Sequence, residues 1–117
     1  MSRLRLCMGS AALFAAALLA GHGALAASAD KGKAAFVKNG CWQCHGFVGQ
    51  GGVAGPKLAP DPIPAEAFTA FVRTTNRAMP PYSEAVLSDA DLADIHAYLA
   101  SVPKAADPKT IPLLSSP

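Results

Sequence analysis

The sequence predicts a small all-α domain of about three short helices joined by long loops. Ahead of Pro103, the residues Leu92, Ile95, Leu99 and Val102 recur at helical spacing. Segment 46–63 holds five glycines and three prolines without any apolar period, so it reads as loop. Nowhere does a run alternate apolar and polar residues as a half-buried strand would.

The chain opens with Arg3 and Arg5, then an unbroken apolar run from Leu13 to Ala20 that is too short to cross a bilayer as a helix. Ala24, Leu25 and Ala26 follow, with the small residues a signal peptidase requires. Residues 1–26 are therefore expected to be a secretory signal, with an uncleaved membrane anchor as the competing reading of the same stretch. Cleavage leaves 27–117, of which 27–103 is the expected domain and 104–117, carrying Pro108, Pro112 and Pro117, an extended tail.

Within the domain, Ser28 suits the cap of a helix running to about Asn39, stopped by Gly40. Pro64 sits where a first helical residue belongs, ahead of Phe68, Phe71 and Val72 on a helix ending near Thr75. Ser88 with Asp91 makes a capping-box-like start for the last helix, which Pro103 ends. Three such helices are barely enough to fold unaided, because a domain below ~80 residues usually needs a staple.

The ten basic residues fall to eight once Arg3 and Arg5 leave with the signal, matching the eight acidic ones. No basic excess points to nucleic acid, and the chain after the signal carries no stretch suited to stable membrane insertion. Of three cysteines only Cys41 and Cys44 remain, which in an exported chain would most simply pair as a disulfide.

The neighbouring residues supply another reading. Cys41-Trp42-Gln43-Cys44-His45 is the Cys-x-x-Cys-His pattern of covalent haem attachment. On a helical turn, positions i, i+3 and i+4 share one face, so two sulfurs and an imidazole can meet the same flat porphyrin. The thiols would add to its vinyl groups while His45 reaches the iron. A thioredoxin-like redox pair competes, but the alternating strands and helices expected around one are missing from the pattern. Zinc competes too, although Cys41, Cys44, His45 and His96 are the soft or imidazole ligands on offer, and two of them are adjacent.

From here the chain resembles the class I cytochrome c family over nearly all of the segment after the signal. Gly55-Pro56-Lys57-Leu58 is similar to the family's Gly-Pro-x-Leu segment, which implies that the Pro56 carbonyl accepts a hydrogen bond from the ring of His45. Arg77-Ala78-Met79-Pro80-Pro81-Tyr82 is similar to the loop that supplies the sixth iron ligand, which implies Met79. It is the last methionine in the chain once Met1 and Met8 are cleaved away. Gly32 and Phe36 against Tyr98 resemble the crossing of the first and last helices.

The resemblance implies one haem c, ligated by His45 and Met79, carrying single electrons in the periplasm rather than performing catalysis. It also implies redox partners, a dehydrogenase as donor and an oxidase or another cytochrome as acceptor. The contrasting class is a haem enzyme or gas-binding sensor with a labile or open sixth position. Trp42, Tyr82, Arg73 and Arg77 are candidates to pack on the porphyrin or meet its propionates, whereas His96, at the edge of the last helix's buried stripe, reads as a surface histidine.

Overall fold

The structure, a computed structural model, describes residues 26–115. The expected signal, 1–26, therefore lies outside the described residues except for Ala26. Four helices build the domain: α1 (Ala29–Lys38), α2 (Trp42–His45), α3 (Ala65–Thr74) and α4 (Asp89–Ser101). No strand occurs among the described residues, and no helix there is long and apolar enough to cross a membrane. The fold is all-α, as the sequence predicts, with the single turn of α2 added to the three expected helices.

Helix α1 starts where Ser28 Oγ accepts from the Lys31 backbone N–H, and Asp30 places a carboxylate at the positive end of the helix. Its far end carries more consequence. Gly40 adopts φ 74°, a left-handed geometry that favours glycine. There the Gly40 N–H reaches the Val37 carbonyl and the Cys41 N–H the Phe36 carbonyl, both at 3.1 Å. This paired closure is a Schellman motif. It turns the chain sharply, so that the cysteine segment begins immediately above the buried face of α1.

Helix α4 begins at Ser88, whose hydroxyl accepts from the Asp91 N–H at 3.1 Å and donates to the Asp91 carboxylate at 2.9 Å. Its buried face, Leu92, Ile95, Tyr98 and Leu99, crosses α1 and forms the core with Phe36, Phe68, Val72 and Leu87. The rings of Phe36 and Tyr98 meet with centroids 5.7 Å apart at a tilted 59°, a favourable aromatic arrangement. A further tie comes from the Ser28 N–H, which donates to Asp94 Oδ1 at 2.6 Å.

Two sequence expectations are corrected. Pro64 caps α3 rather than occupying its first turn, since its ψ of 142° is extended, although its carbonyl accepts from Phe68 N. The tail is not extended throughout. The Asp107 carboxylate accepts from Lys109 N and starts a 3-10 turn, Pro108–Thr110, followed by a single-turn helix α5 (Pro112–Ser115). Proline favours the first position of such turns, so these prolines start helical turns instead of preventing them. An ion pair, Lys104 Nζ to Asp61 Oδ2 at 3.3 Å, joins the tail to the loop, with both side chains largely exposed.

The α1–α4 crossing depends on Gly32. A Cβ there would stand 1.8 Å from the Asp94 carbonyl oxygen and 2.8 Å from the Ile95 nitrogen, both main-chain atoms that no rotamer change can move. Gly32→Ala is expected to destabilise the protein by about 1–3 kcal/mol or more, as overpacked cores do. Ala34→Ser on the exposed side of the same helix stays within about 0.5 kcal/mol. Denaturant titration followed by circular dichroism measures both.

Candidate functional site

The Schellman turn feeds directly into the first site element. Cys41 is helical, φ −56° and ψ −35°, and its carbonyl accepts from Cys44 N at 3.4 Å and His45 N at 3.0 Å. Cys41, Cys44 and His45 therefore occupy one tight turn and border a single cavity. Neither thiol is in a disulfide. Burial raises the Cys41 pKa, with its own backbone hydrogen bond opposing and Cys44 adding to the rise. A thiol held neutral is the reverse of the depressed pKa that marks a thioredoxin-like nucleophile.

His45 is 8% exposed, and Nδ1 lies 2.8 Å from the Pro56 carbonyl oxygen. A carbonyl only accepts, so Nδ1 carries the hydrogen and Nε2 keeps its lone pair. Among the described residues no buried side-chain nitrogen or oxygen lacks a hydrogen-bond partner. Nε2, outside that bond, is thus open to the cavity. The loop after α2 brings Pro56 into place. Gly51 N donates to the His45 carbonyl at 2.8 Å, and the Gly49 carbonyl accepts from Leu58 and Ala59, drawing 46–59 back over the imidazole. Gly49 needs its positive φ of 71°, and a side chain there would meet Leu99 Cδ2 at 2.6 Å.

Helix α3 and the following loop supply further walls of the same cavity. Phe68 and Val72 present their buried side chains, and Phe71 and Leu58 join them in a predominantly apolar lining. Met79, half-buried, borders the same cavity with its neighbours Ala78 and Pro80. Leu87, Leu92 and Ile95 complete it from the α4 side. The cavity volume is about 580 Å³, within the ~300–1,000 Å³ typical of cofactor sites.

The four auxiliary candidates separate. Arg77 and Tyr82 border the cavity. Burial raises the Tyr82 pKa, with Cys41 and Cys44 contributing less, and its hydroxyl donates to the Asn39 carbonyl at 3.4 Å. Trp42 instead stacks on Phe47, centroids 4.6 Å apart and planes 11° from parallel. Arg73 turns away to bond the Tyr82 carbonyl and Asp89. His96 Nε2 lies 2.9 Å from the Ile63 carbonyl and its ring meets Phe68 edge-on. No group of three or more His, Cys, Asp or Glu side chains converges among the described residues, so the tetrahedral donor set of a zinc site does not form. Sequence reasoning missed Leu87, buried at 2% and bordering the cavity, because a lone leucine between loops carries no period.

One imidazole with a fixed tautomer, one thioether and two thiols thus border an apolar cavity between helices. This donor set fits an iron porphyrin, with soft and imidazole ligands for the metal, apolar walls for the ring and thiols for covalent attachment. The fold and site define a small c-type haem protein. The family model described as cytochrome c oxidase, cbb3-type, subunit III matches residues 27–99, and the chain belongs to this family of c-type cytochrome domains. Its cofactor is covalently bound haem c. Comparison with curated proteins and with solved structures returned no match.

The approach of Gly55 to His45 yields a prediction. A Cβ at Gly55 would lie 2.9 Å from the Cys44 carbonyl oxygen and 3.0 Å from His45 Nδ1 and Cε1. Gly55→Val therefore displaces the imidazole from Pro56, whereas Pro56→Ala keeps the accepting carbonyl. In the holoproteins the first variant is expected to shift the imidazole proton resonances and lower thermal stability by about 1–3 kcal/mol. Pro56→Ala leaves those resonances near their wild-type positions.

Proposed function

We propose that the protein is a periplasmic electron carrier whose haem is attached through Cys41 and Cys44 and ligated by His45 and Met79. One observation carries this reading: His45, its Nδ1 committed to Pro56, and Met79 border the same apolar cavity as the two thiols. Haem c supplies reversible one-electron chemistry at its iron. The chain's part is positional. His45 donates from Nδ1 to Pro56 and would offer Nε2 to the iron, and hydrogen bonding at Nδ1 increases the basicity of that donor. Met79 offers a soft sulfur, which raises the potential relative to a second histidine and closes the sixth position. Phe36, Phe68, Val72 and Leu92 keep water from the ring. Arg77 offers a cation at the cavity edge for the propionates.

Removal of 1–26 at an export step delivers the domain to the periplasm, where a dehydrogenase is the preferred donor and an oxidase or second cytochrome the acceptor. Charges are balanced after cleavage, so docking rests on apolar contact more than on long-range steering. Phe47 and Val53 are exposed and supply such surface, as do Leu113 and Leu114 in the tail. Redox encounters are small, so a few side chains decide them.

Acid-acetone extraction of the purified protein is expected to leave the haem on the chain, and haem released into the solvent would overturn the covalent assignment. Met79→Ala should retain the haem, lower the midpoint potential by on the order of 0.1 V within the ~0.8 V span set by axial ligands, and admit carbon monoxide rapidly to the reduced protein. Rapid carbon monoxide binding by wild type would favour the gas-binding or enzymatic reading instead. Truncation after Val102 is expected to preserve the visible spectrum and slow reduction by the donor, with a shallow salt dependence in both forms. Stopped-flow kinetics measures this, and a steep fall in rate with added salt rejects apolar docking.

A further inference from the structure

Met79 is followed by Pro80 and Pro81, neither of which has a backbone N–H with which to anchor the loop. The first residue beyond them that can be tied down is Tyr82, and it is held at three atoms. Its N–H donates to the Val72 carbonyl at 3.0 Å, its hydroxyl to the Asn39 carbonyl at 3.4 Å, and its own carbonyl accepts from Arg73 Nη1 at 2.9 Å. Helix α3, the end of α1 and the methionine loop therefore meet at one residue. Two prolines with restricted φ carry that position back to Met79 with little slack.

Arg73 closes the junction. Its second guanidinium nitrogen, Nη2, pairs with Asp89 Oδ1 at 2.5 Å, so the fork spans from the loop to the first residue of α4. The Arg73 side chain is only 18% exposed, and unlike Arg77 it does not border the cavity. One arm of the fork is thus spent on a main-chain carbonyl three residues beyond the methionine, and the other on Asp89. A planar fork can hold both acceptors at once, whereas a lysine ammonium is a single compact charge on a flexible stem.

We propose that Arg73 is a positioning residue for Met79, acting through Tyr82 to hold the sulfur at the sixth position of the iron. This rests on the reading of Met79 as the axial ligand. Loss of the guanidinium leaves the Tyr82 carbonyl without its charged donor and lets the loop move away, while His45 and the thioethers stay in place. A hydrogen bond to a charged group corresponds to a change of about 10-fold to 100-fold in the balance between sulfur-on and sulfur-off forms.

The test uses haem-loaded full-length protein and three readouts: the red charge-transfer band of ferric sulfur ligation, the carbon monoxide association rate of the reduced form, and the midpoint potential. Arg73→Met, which keeps the apolar stem, is expected to weaken the band, speed carbon monoxide association by about 10-fold or more and lower the potential. Arg73→Lys should fall between it and wild type. A merely structural role predicts a lower denaturation midpoint with all three readouts unchanged. That result, together with loss of the band in Met79→Ala, overturns the proposal and leaves the ligand reading standing. If Met79→Ala itself matches wild type, the ligand assignment fails and this inference with it. Should Arg73→Met not accumulate as a haem protein, Arg73→Lys decides alone: displacement of the readouts supports the latch, and coincidence with wild type rejects it.

Discussion

At Gly32 the backbones of α1 and α4 approach so closely that one added methyl group would stand 1.8 Å from the Asp94 carbonyl oxygen, and the rest of the domain is arranged around that approach. It seats Phe36 against Tyr98 and buries Leu92, Ile95 and Leu99 along the same seam. Because α1 is pinned, its Schellman end is pinned as well, and the turn carrying Cys41, Cys44 and His45 starts from a rigid base. A loose crossing would leave those three side chains correctly spaced along the chain but badly aimed.

The two sides of the cavity are held by different means. On the His45 side, main-chain hydrogen bonds fold the glycine-rich loop back so that the Pro56 carbonyl meets the imidazole. This loop has few apolar anchors of its own, and its bonds substitute for them. On the Met79 side the backbone has two prolines and little bonding capacity, so the restraint is concentrated at Tyr82 and comes partly from a side chain, Arg73. The apolar walls between these sides give a small domain the interior that its helices cannot make alone. Membership of the c-type cytochrome family, whose cofactor is covalently bound haem c, accounts for that apolar interior.

Features governed by near neighbours were readable in advance. The Ser28 and Ser88 caps, the Gly40 stop and the Cys41–His45 turn each depend on residues within a few positions, and each occurs as expected. The Pro64 boundary moved by one residue because a proline can serve either as cap or as first helical residue, and its ψ settles at the cap. The tail departs in part from the extended chain that its prolines suggest, because proline density marks the start of short turns as well as extended chain, and the Asp107 cap selects the former at Pro108–Thr110.

What the sequence by itself determined is the helical class, the attachment turn and the short segments carrying Pro56 and Met79, because these depend on local spacing and on residue chemistry. Only the tertiary structure decided which long side chains serve the cavity. Arg73 and Arg77 are four residues apart and chemically identical, yet Arg77 borders the cavity and Arg73 braces the loop against α4. A guanidinium at the end of a long flexible stem can reach in several directions, and the choice falls to acceptors, the Tyr82 carbonyl and Asp89, that are brought to it only when the loop and α4 pack against α3.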